Sequence, residues 1–261
     1  MTDGYSLHTG SLPLLVSVPH DGRQLPDDID GRMTAAGRSI PDTDWHVARL
    51  YDFARDLGAS MIVAEYSRYV IDLNRSPDDD ALYEGQLATG LCPRQTFAGD
   101  DIYRDSERID VAERLERYWR PYHDQIRVML AKLKSAFGYA LLWDAHSIPS
   151  RVPRLFTGEL PVLNLGSWDG RSCGRSLLNA VVAAVAASEF PSVCDGRFKG
   201  GFITRHYGDP GNDVHVLQLE LAQRAYMNET TLDFDDEKAD LLRATLDKLL
   251  ITFLDAAERI R

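Results

Sequence analysis

Two histidines follow apolar segments of the chain that are typical of buried strands. His20 comes just after the apolar run at residues 12–18, and His146 closely follows the apolar run at residues 139–143. Imidazole and carboxylate groups are the ligands that zinc takes in catalytic sites, where three protein ligands leave a fourth position for water. The two histidines together predict two ligands of a metal site. For either one alone, the alternative is a histidine that only caps a loop.

The third ligand is expected to be a carboxylate near one of these turns, for which the sequence offers Asp21, Asp44 and Asp144. Asp21 adjoins His20, and adjacent side chains in extended backbone point in opposite directions. Asp144 precedes His146 by two residues and could instead orient a ligand imidazole through a hydrogen bond. Asp44 is the preferred ligand, although an aspartate near the start of a helix also commonly caps it.

A metal hydrolase also needs a carboxylate that takes a proton from water and passes it to the leaving amine. Glu220 is the candidate for this role. It lies among Val216, Leu217, Leu219 and Leu221 in a predicted core strand, where a charge is costly unless it has a function or a partner. The alternative is a glutamate that is partnered for structural reasons only.

Arg68, Arg75 and Arg205 are candidate binders of substrate carboxylates, because a guanidinium group can bind a carboxylate through two parallel hydrogen bonds. All three lie near predicted strand ends, in a chain whose formal net charge is -11. They predict a locally positive pocket for a small anionic substrate, although each could be a surface arginine. His206 and His215 have less support, either as substrate contacts or as ordinary strand residues.

Strands and helices must alternate along the chain to place these groups. Strands are predicted over residues 12–18, 60–64, 69–73, 139–143, 161–165, 201–204 and 214–221, and helices over residues 44–57, 106–137, 172–188 and 237–260. Pro121 removes a backbone donor from the second helix, so we expect a kink or two successive helices there. The alternation is typical of a largely parallel sheet with helices on both faces, in which ligands bind beyond the carboxyl ends of the strands.

Length and composition predict one globular catalytic domain over residues 1–261. The net negative charge and the absence of clustered lysines and arginines argue against nucleic-acid binding. Three scattered cysteines, an N-terminus unlike a signal peptide and no apolar run near the length of a membrane span predict a cytoplasmic protein that binds no membrane. The sequence does not indicate an oligomeric state.

Six segments of the chain carry a recognisable pattern. They are SVPHDG, TDWHVARLYDFA, VIDLNRSP, LLWDAHSIPS, GGFITRHYGDP and HVLQLELAQRAYM. Together, and in this order, they resemble the N-formylglutamate amidohydrolases, the deformylases of histidine degradation, over most of the chain. No P-loop, dinucleotide-binding, H-E-x-x-H or nucleophile-elbow motif indicates a different chemistry.

The resemblance implies a three-layer α/β/α fold like that of the zinc carboxypeptidases, with a mixed sheet and one catalytic divalent metal ion, expected to be zinc. It implies His20 and His146 as metal ligands, Glu220 as the general base, and Asn74 with Arg75 as binders of the substrate carboxylates. We expect Arg205 or Arg68 to help Asn74 and Arg75 in this. The peptidases carry an H-x-x-E ligand pair, but in the same motif starting at His20 the fourth residue is Arg23 rather than a glutamate. The deformylase pattern indicates Asp44 as the third ligand instead.

The expected reaction is therefore hydrolysis of N-formyl-L-glutamate to formate and L-glutamate by metal-activated water. Two alternatives stay open. One is a related deacylase or carboxypeptidase-like amidohydrolase that acts on another N-acyl amino acid or a small peptide. The other is a non-catalytic module that kept the carboxylate-binding pocket and lost turnover.

Overall fold

The computed structural model describes residues 4–80, 89–104 and 109–259. In this part of the chain the strands are β1 (Tyr5–His8), β2 (Leu14–Val18), β3 (Ser60–Ala64), β4 (Ala140–Ile148), β5 (Leu163–Gly166), β6 (Ser192–Cys194) and β7 (Val214–Ala222). The α-helices are α1 (Asp27–Asp30), α2 (Ala35–Arg38), α3 (Val47–Leu50), α4 (Phe53–Leu57), α5 (Val111–Arg114), α6 (Arg120–Phe137), α7 (Arg175–Ala186), α8 (Phe202–Tyr207) and α9 (Asp236–Glu258).

The seven described strands form one mixed sheet in the order β1-β3-β2-β4-β7-β5-β6. Strand β2 pairs in parallel with β3 and β4, β4 with β7, and β5 with β6. The pairs β1 with β3 and β5 with β7 are antiparallel. The central strands β2, β4 and β7 are buried along almost their whole length, as expected for parallel strands covered on both faces. The predicted α/β fold with a largely parallel, mixed sheet is confirmed.

Helices pack on both faces of this sheet. Alternate strand residues point to opposite faces, so Val16 and Trp143 belong to the apolar cluster that includes residues of α7 and α9. Leu15 and Leu142 belong to the second cluster, which includes residues of α6. The layers are therefore helix, sheet and helix. Within the described ranges, no helix has the length and apolar character needed to span a membrane.

The long helix predicted over residues 106–137 is divided just before Pro121, as the presence of this proline predicted. Its described part consists of α5, a π-helical turn at Leu115–Trp119, and α6, in which Pro121 occupies the first turn. A proline has no N–H to donate to the preceding turn, and a π turn is one way to absorb that loss without ending the helix. Residues 106–108 of the predicted helix lie outside the described residues.

Two strand predictions are wrong. Residues 69–73 form turns and irregular backbone, because the Val70 carbonyl accepts a hydrogen bond from the Arg114 side chain rather than from a strand. Residues 201–204 include the start of helix α8, because the backbone N–H of Ile203 donates to the side-chain oxygen of Asn74. A short apolar segment has the same sequence pattern in a strand as in a buried helix, so its partners decide its structure.

The helix predicted over residues 44–57 is divided into the short helices α3 and α4. His46, whose φ of 64° is incompatible with a helix, keeps residues 44–46 out of α3, and α3 ends just before Tyr51, whose ψ of 10° departs from helical geometry. Strands β1 and β6 were not predicted, because four-residue and three-residue strands at the sheet edges carry little periodicity.

His123 on α6 holds the segment that carries Asn74 and Arg75. Its Nε2 lies 2.9 Å from the carbonyl oxygen of Leu73, and its ring stacks on Trp119 with centroids 3.7 Å apart. The indole N–H of Trp119 donates in turn to the carbonyl of Arg75, at 3.1 Å. Side chains of α6 and of the π turn before it therefore fix the backbone on both sides of Asn74.

Burial lowers the pKa of the His123 imidazole to about 3 from its ordinary value of 6.5. Between pH 6.5 and pH 3 the His123 imidazole is protonated in the unfolded chain but stays neutral in the folded chain. The free energy of unfolding therefore decreases as the pH falls from 6.5 towards 3. His123→Gln removes this titrating group, so it should reduce the slope of the free energy of unfolding against pH by up to about 1.4 kcal/mol per pH unit in this window. Urea unfolding at pH 5 and pH 7.5, with a chelator present, measures this. Equal pH dependence in the variant and the unsubstituted protein would contradict the prediction.

Candidate active site

The structure brings His20, Asp44 and His146 together at the carboxyl edge of the central strands. One ligand atom from each lies within 4.8 Å of the other two, and all three side chains are buried. Oδ2 of Asp44 lies 3.0 Å from Nδ1 of His146 and 3.7 Å from Nδ1 of His20. This group of two imidazoles and a carboxylate can hold a divalent metal ion.

His146 is part of strand β4, which corrects the prediction that it follows a strand. The predicted strand ended at residue 143 because Asp144 and His146 interrupt the apolar run, yet β4 continues to Ile148. These polar residues remain inside the sheet because they hydrogen-bond to one another and to Ser17 of β2. His20 does follow its strand, two residues after the end of β2.

The contacts of the two imidazoles fit a metal ion. Nε2 of His20 lies 2.7 Å from Oδ1 of Asp72, and Nε2 of His146 lies 3.0 Å from Oδ2 of Asp144. Metal-ligating histidines typically donate their second ring N–H to a carboxylate in this way. Nδ1 of His20 is buried and has no hydrogen-bond partner among the described residues. A cation beside Asp44 would supply the partner that this nitrogen lacks.

Asp44 does not cap a helix through its side chain. Its Oδ2 accepts the backbone N–H of Ser147 at 3.0 Å, and its Oδ1 lies 3.4 Å from the Arg68 guanidinium. The capping contacts belong to Asp21, whose carboxylate accepts the N–H of Ala48 at 2.8 Å. Burial alone would raise the pKa of Asp44, but the two histidines hold it well below its ordinary value. Asp44 therefore remains a carboxylate, as a metal ligand must.

Glu220 lies beside the metal-ligand group. It is the direct cross-strand partner of His146 in the parallel pairing of β4 with β7, and it lines the same cavity. Burial raises the pKa of the Glu220 carboxyl to about 8. Because a raised pKa makes the carboxylate a stronger base, Glu220 suits the transfer of a proton at this position.

Arg68, Arg75 and Arg197 are the arginines that line this cavity in the described part of the chain. Arg68 is committed to protein carboxylates, with its Nη2 2.7 Å from Asp72 and its Nη1 3.4 Å from Asp44. Arg75 is fixed by Thr89, whose carbonyl accepts from its Nε at 2.6 Å and whose hydroxyl lies 3.1 Å from its Nη2.

Arg205, His206 and His215 are not among the described residues that line the cavity. Nε of Arg205 donates to the carbonyl of Gly200 at 2.9 Å. His206 stacks on Phe202, and Nδ1 of His215 accepts the N–H of Gly174. The structure thus does not bring these three residues to the candidate site.

Asn74 lines the cavity, but its amide makes protein contacts at both ends. Its Nδ2 donates to Oδ2 of Asp144 at 3.3 Å, the same oxygen that Nε2 of His146 contacts, and its Oδ1 accepts the N–H of Ile203 at 2.8 Å. A Cβ atom on Gly201 would lie 2.3 Å from the Asn74 Nδ2, so only glycine allows the α8 loop to approach this closely. Asn74 is thus a link between a metal-ligand histidine and α8.

Asp72 and Arg197 are the site residues that sequence reasoning missed. Asp72 follows Val70 and Ile71 in an apolar segment, and a charged residue in such a place is the same indication that identified Glu220. Arg197 lies in the loop between β6 and α8, where no periodicity or strand end marks it. Its place in the cavity is visible only in the folded chain.

Comparison with known proteins gives matches along most of the chain. A family model described as N-formylglutamate amidohydrolase matches residues 12–227. The N-formylglutamate deformylase of Pseudomonas putida is 49% identical over 254 residues, which cover 95% of each chain. That of Pseudomonas aeruginosa is 48% identical over 259 residues, which cover 97% of each chain. A crystal structure of N-formylglutamate amidohydrolase from Ralstonia eutropha JMP134 has a TM-score of 0.81 at 26% identity, and the match covers 99% of this chain and 98% of that one.

Removal of His20 is expected to abolish tight metal binding, because Asp44 and His146 alone make an incomplete set of ligands. Chelator-treated protein, titrated with Zn²⁺, should bind one equivalent, and His20→Ala should bind it more than about 100-fold more weakly. His8→Ala, on the edge strand β1, is the matched control and should bind as the unsubstituted protein does. Unchanged affinity in His20→Ala would show that the metal binds elsewhere.

Asp72→Asn is expected to weaken zinc binding by about 10-fold to 100-fold, because Asp72 orients His20 without being a ligand. The same titration measures the effect. Asp78→Asn removes a carboxylate of the same loop from an exposed position and serves as the control. An Asp72→Asn affinity equal to that of the control would contradict the assigned role.

Proposed function

The chain belongs to the N-formylglutamate amidohydrolase family, and from this premise we propose that it hydrolyses N-formyl-L-glutamate to formate and L-glutamate. This membership confirms that the six sequence segments indicated the correct family. The chain is therefore a hydrolase that acts on a linear amide. One observation carries the proposal for this chain: the cavity that contains His20, Asp44 and His146 also contains Glu220 and Arg75. We assign the reaction to histidine degradation, as the sequence resemblance implies, and to the cytoplasm, as the few scattered cysteines predict.

The metal proposed for the site is a single zinc ion held by His20, Asp44 and His146. Two imidazoles and one carboxylate form the ligand set of several catalytic zinc sites. When bound, the ion would supply Lewis-acid activation of water and of the amide carbonyl. The orphaned Nδ1 of His20 and the contacts of both Nε2 atoms with Asp72 and Asp144 support this assignment.

Glu220 is proposed as the general base and then the general acid. Its carboxylate takes a proton from the water that attacks the formyl carbon, and the C–N bond breaks as Glu220 returns the proton to the leaving nitrogen. The products are formate and the free amine of glutamate. Its place in β7, directly across from His146, brings the base to the metal-ligand group without a mobile loop.

Arg75 is proposed as the binder of the α-carboxylate of the substrate. Thr89 orients its guanidinium. His123 contacts the backbone carbonyl of Leu73 and Trp119 donates to that of Arg75, so both ends of this segment are fixed. We assign Arg68 and Asn74 to positioning instead, because each is engaged by protein groups of the metal site. Arg205 is left out of the proposed site.

Glu220→Gln is expected to lower kcat for formate release from N-formyl-L-glutamate by about 10²-fold to 10⁴-fold, because the amide cannot accept the proton of the attacking water. KM and zinc content should stay close to those of the unsubstituted protein, since Glu220 is not proposed as a ligand. Glu189→Gln, which neutralises an exposed carboxylate after α7, is the control. Formate is measured with a coupled dehydrogenase assay.

Near-complete retention of kcat in Glu220→Gln would contradict its role as the base. Zinc-loaded protein that releases no formate from N-formyl-L-glutamate but hydrolyses another N-acyl amino acid would contradict the substrate assignment. In that case the related deacylase is the correct function.

A further inference from the structure

Arg197 lines the cavity of the candidate site from a separate part of the chain. It belongs to the loop between β6 and α8, whereas Arg75 follows Asn74 in the segment that contacts the metal ligands. Its neighbour Phe198 lines the cavity as well. The loop therefore brings both a cation and an apolar ring to the site.

The Arg197 side chain is held in place by a second loop. Its Nε donates to the carbonyl of Leu155 at 3.0 Å, and its guanidinium carbon lies 5.5 Å from the centroid of the Phe198 ring. Phe198 packs edge-on against Phe156, with ring centroids 6.2 Å apart. A guanidinium oriented in advance loses less conformational entropy when it binds a carboxylate.

The positions of the arginines indicate what Arg197 binds. Of the three arginines that line the cavity among the described residues, Arg68 contacts Asp44 and Asp72 and so belongs with the metal-ligand group. Arg75 and Arg197 reach the same cavity from two separate segments of the chain. Two guanidinium groups in one cavity suit a substrate that carries two carboxylates, as N-acyl-glutamate does.

We infer that Arg197 is a specificity residue that binds the side-chain carboxylate of the substrate, while Arg75 binds the α-carboxylate. This rests on the proposed function and extends it, since it names the group that distinguishes glutamate from other amino acids. Arg75 takes the α-carboxylate because that group lies nearer to the scissile amide, and Arg75 belongs to the segment that touches His146 through Asn74. Phe198 and Leu155 would pack against the methylene groups between the two carboxylates.

The test compares two substrates that differ in one charge, N-formyl-L-glutamate and its neutral isostere N-formyl-L-glutamine. Arg197→Met should lower kcat/KM for N-formyl-L-glutamate by about 10-fold to 100-fold, the usual effect of losing a charge-assisted contact. For N-formyl-L-glutamine the change should be less than about threefold. Arg75→Met should lower kcat/KM for both substrates, because both contain the α-carboxylate.

Two further variants serve as controls. Arg197→Lys keeps the charge and should recover part of the activity on N-formyl-L-glutamate that Arg197→Met loses. Arg151→Met removes a charge from an exposed side chain, and it should leave both substrates unchanged. Thermal unfolding of each variant reports whether the fold is intact.

Equal losses on both substrates in Arg197→Met, or no loss on either, would overturn the inference while the unsubstituted enzyme still supports the proposed function. An unsubstituted, zinc-loaded enzyme that is inactive on N-formyl-L-glutamate would overturn both.

Discussion

The whole site depends on how its buried carboxylates are compensated. Asp44, Asp72 and Asp144 are at most 1% exposed, and Arg68 forms ion pairs with two of them. Although burial opposes it, Asp144 and Asp44 raise the pKa of the His146 imidazole well above its ordinary value, so its positive charge offsets a second carboxylate when no metal is bound. Three formal negative charges against these two positive charges still leave net negative charge. Uncompensated buried charge costs several kcal/mol, and a divalent cation beside Asp44 would remove most of that cost. The same arrangement that makes the metal-free site electrostatically unfavourable therefore makes it a good site for a cation.

Asp72 connects this charge balance to substrate binding. One oxygen holds Nε2 of His20 and accepts the backbone N–H of Asn74, and the other pairs with Arg68. The turn that begins at Asp72 thus orients His20 and carries Arg75 into the cavity. Because His123 of α6 and Trp119 of the π turn before it support this turn, the helices on that face of the sheet contribute directly to the geometry of the site. Metal and substrate would be bound by one connected, rigid part of the fold.

Much of this arrangement follows from the sequence. The apolar runs of β2, β3, β5 and β7 and the order of strands and helices predict the sheet, and costly polar residues such as His20 and Glu220 indicate where its site lies. The errors have a common physical cause. Residues 69–73 and 201–204 satisfy their backbone groups with side chains of distant segments, which no local pattern reveals. Arg197 was missed for the same reason, since its importance comes from Leu155 and the shape of the cavity.

In the proposed site, His20, Asp44 and His146 bind one catalytic zinc ion, and both histidines use Nδ1 because Asp72 and Asp144 occupy the Nε2 sides. Anomalous diffraction from zinc-loaded crystals, recorded on both sides of the zinc absorption edge, tests this most directly. We expect a single strong peak in the cavity, about 2.0–2.2 Å from the two Nδ1 atoms and an oxygen of Asp44. A peak elsewhere, or coordination through Nε2 of either histidine, would contradict it.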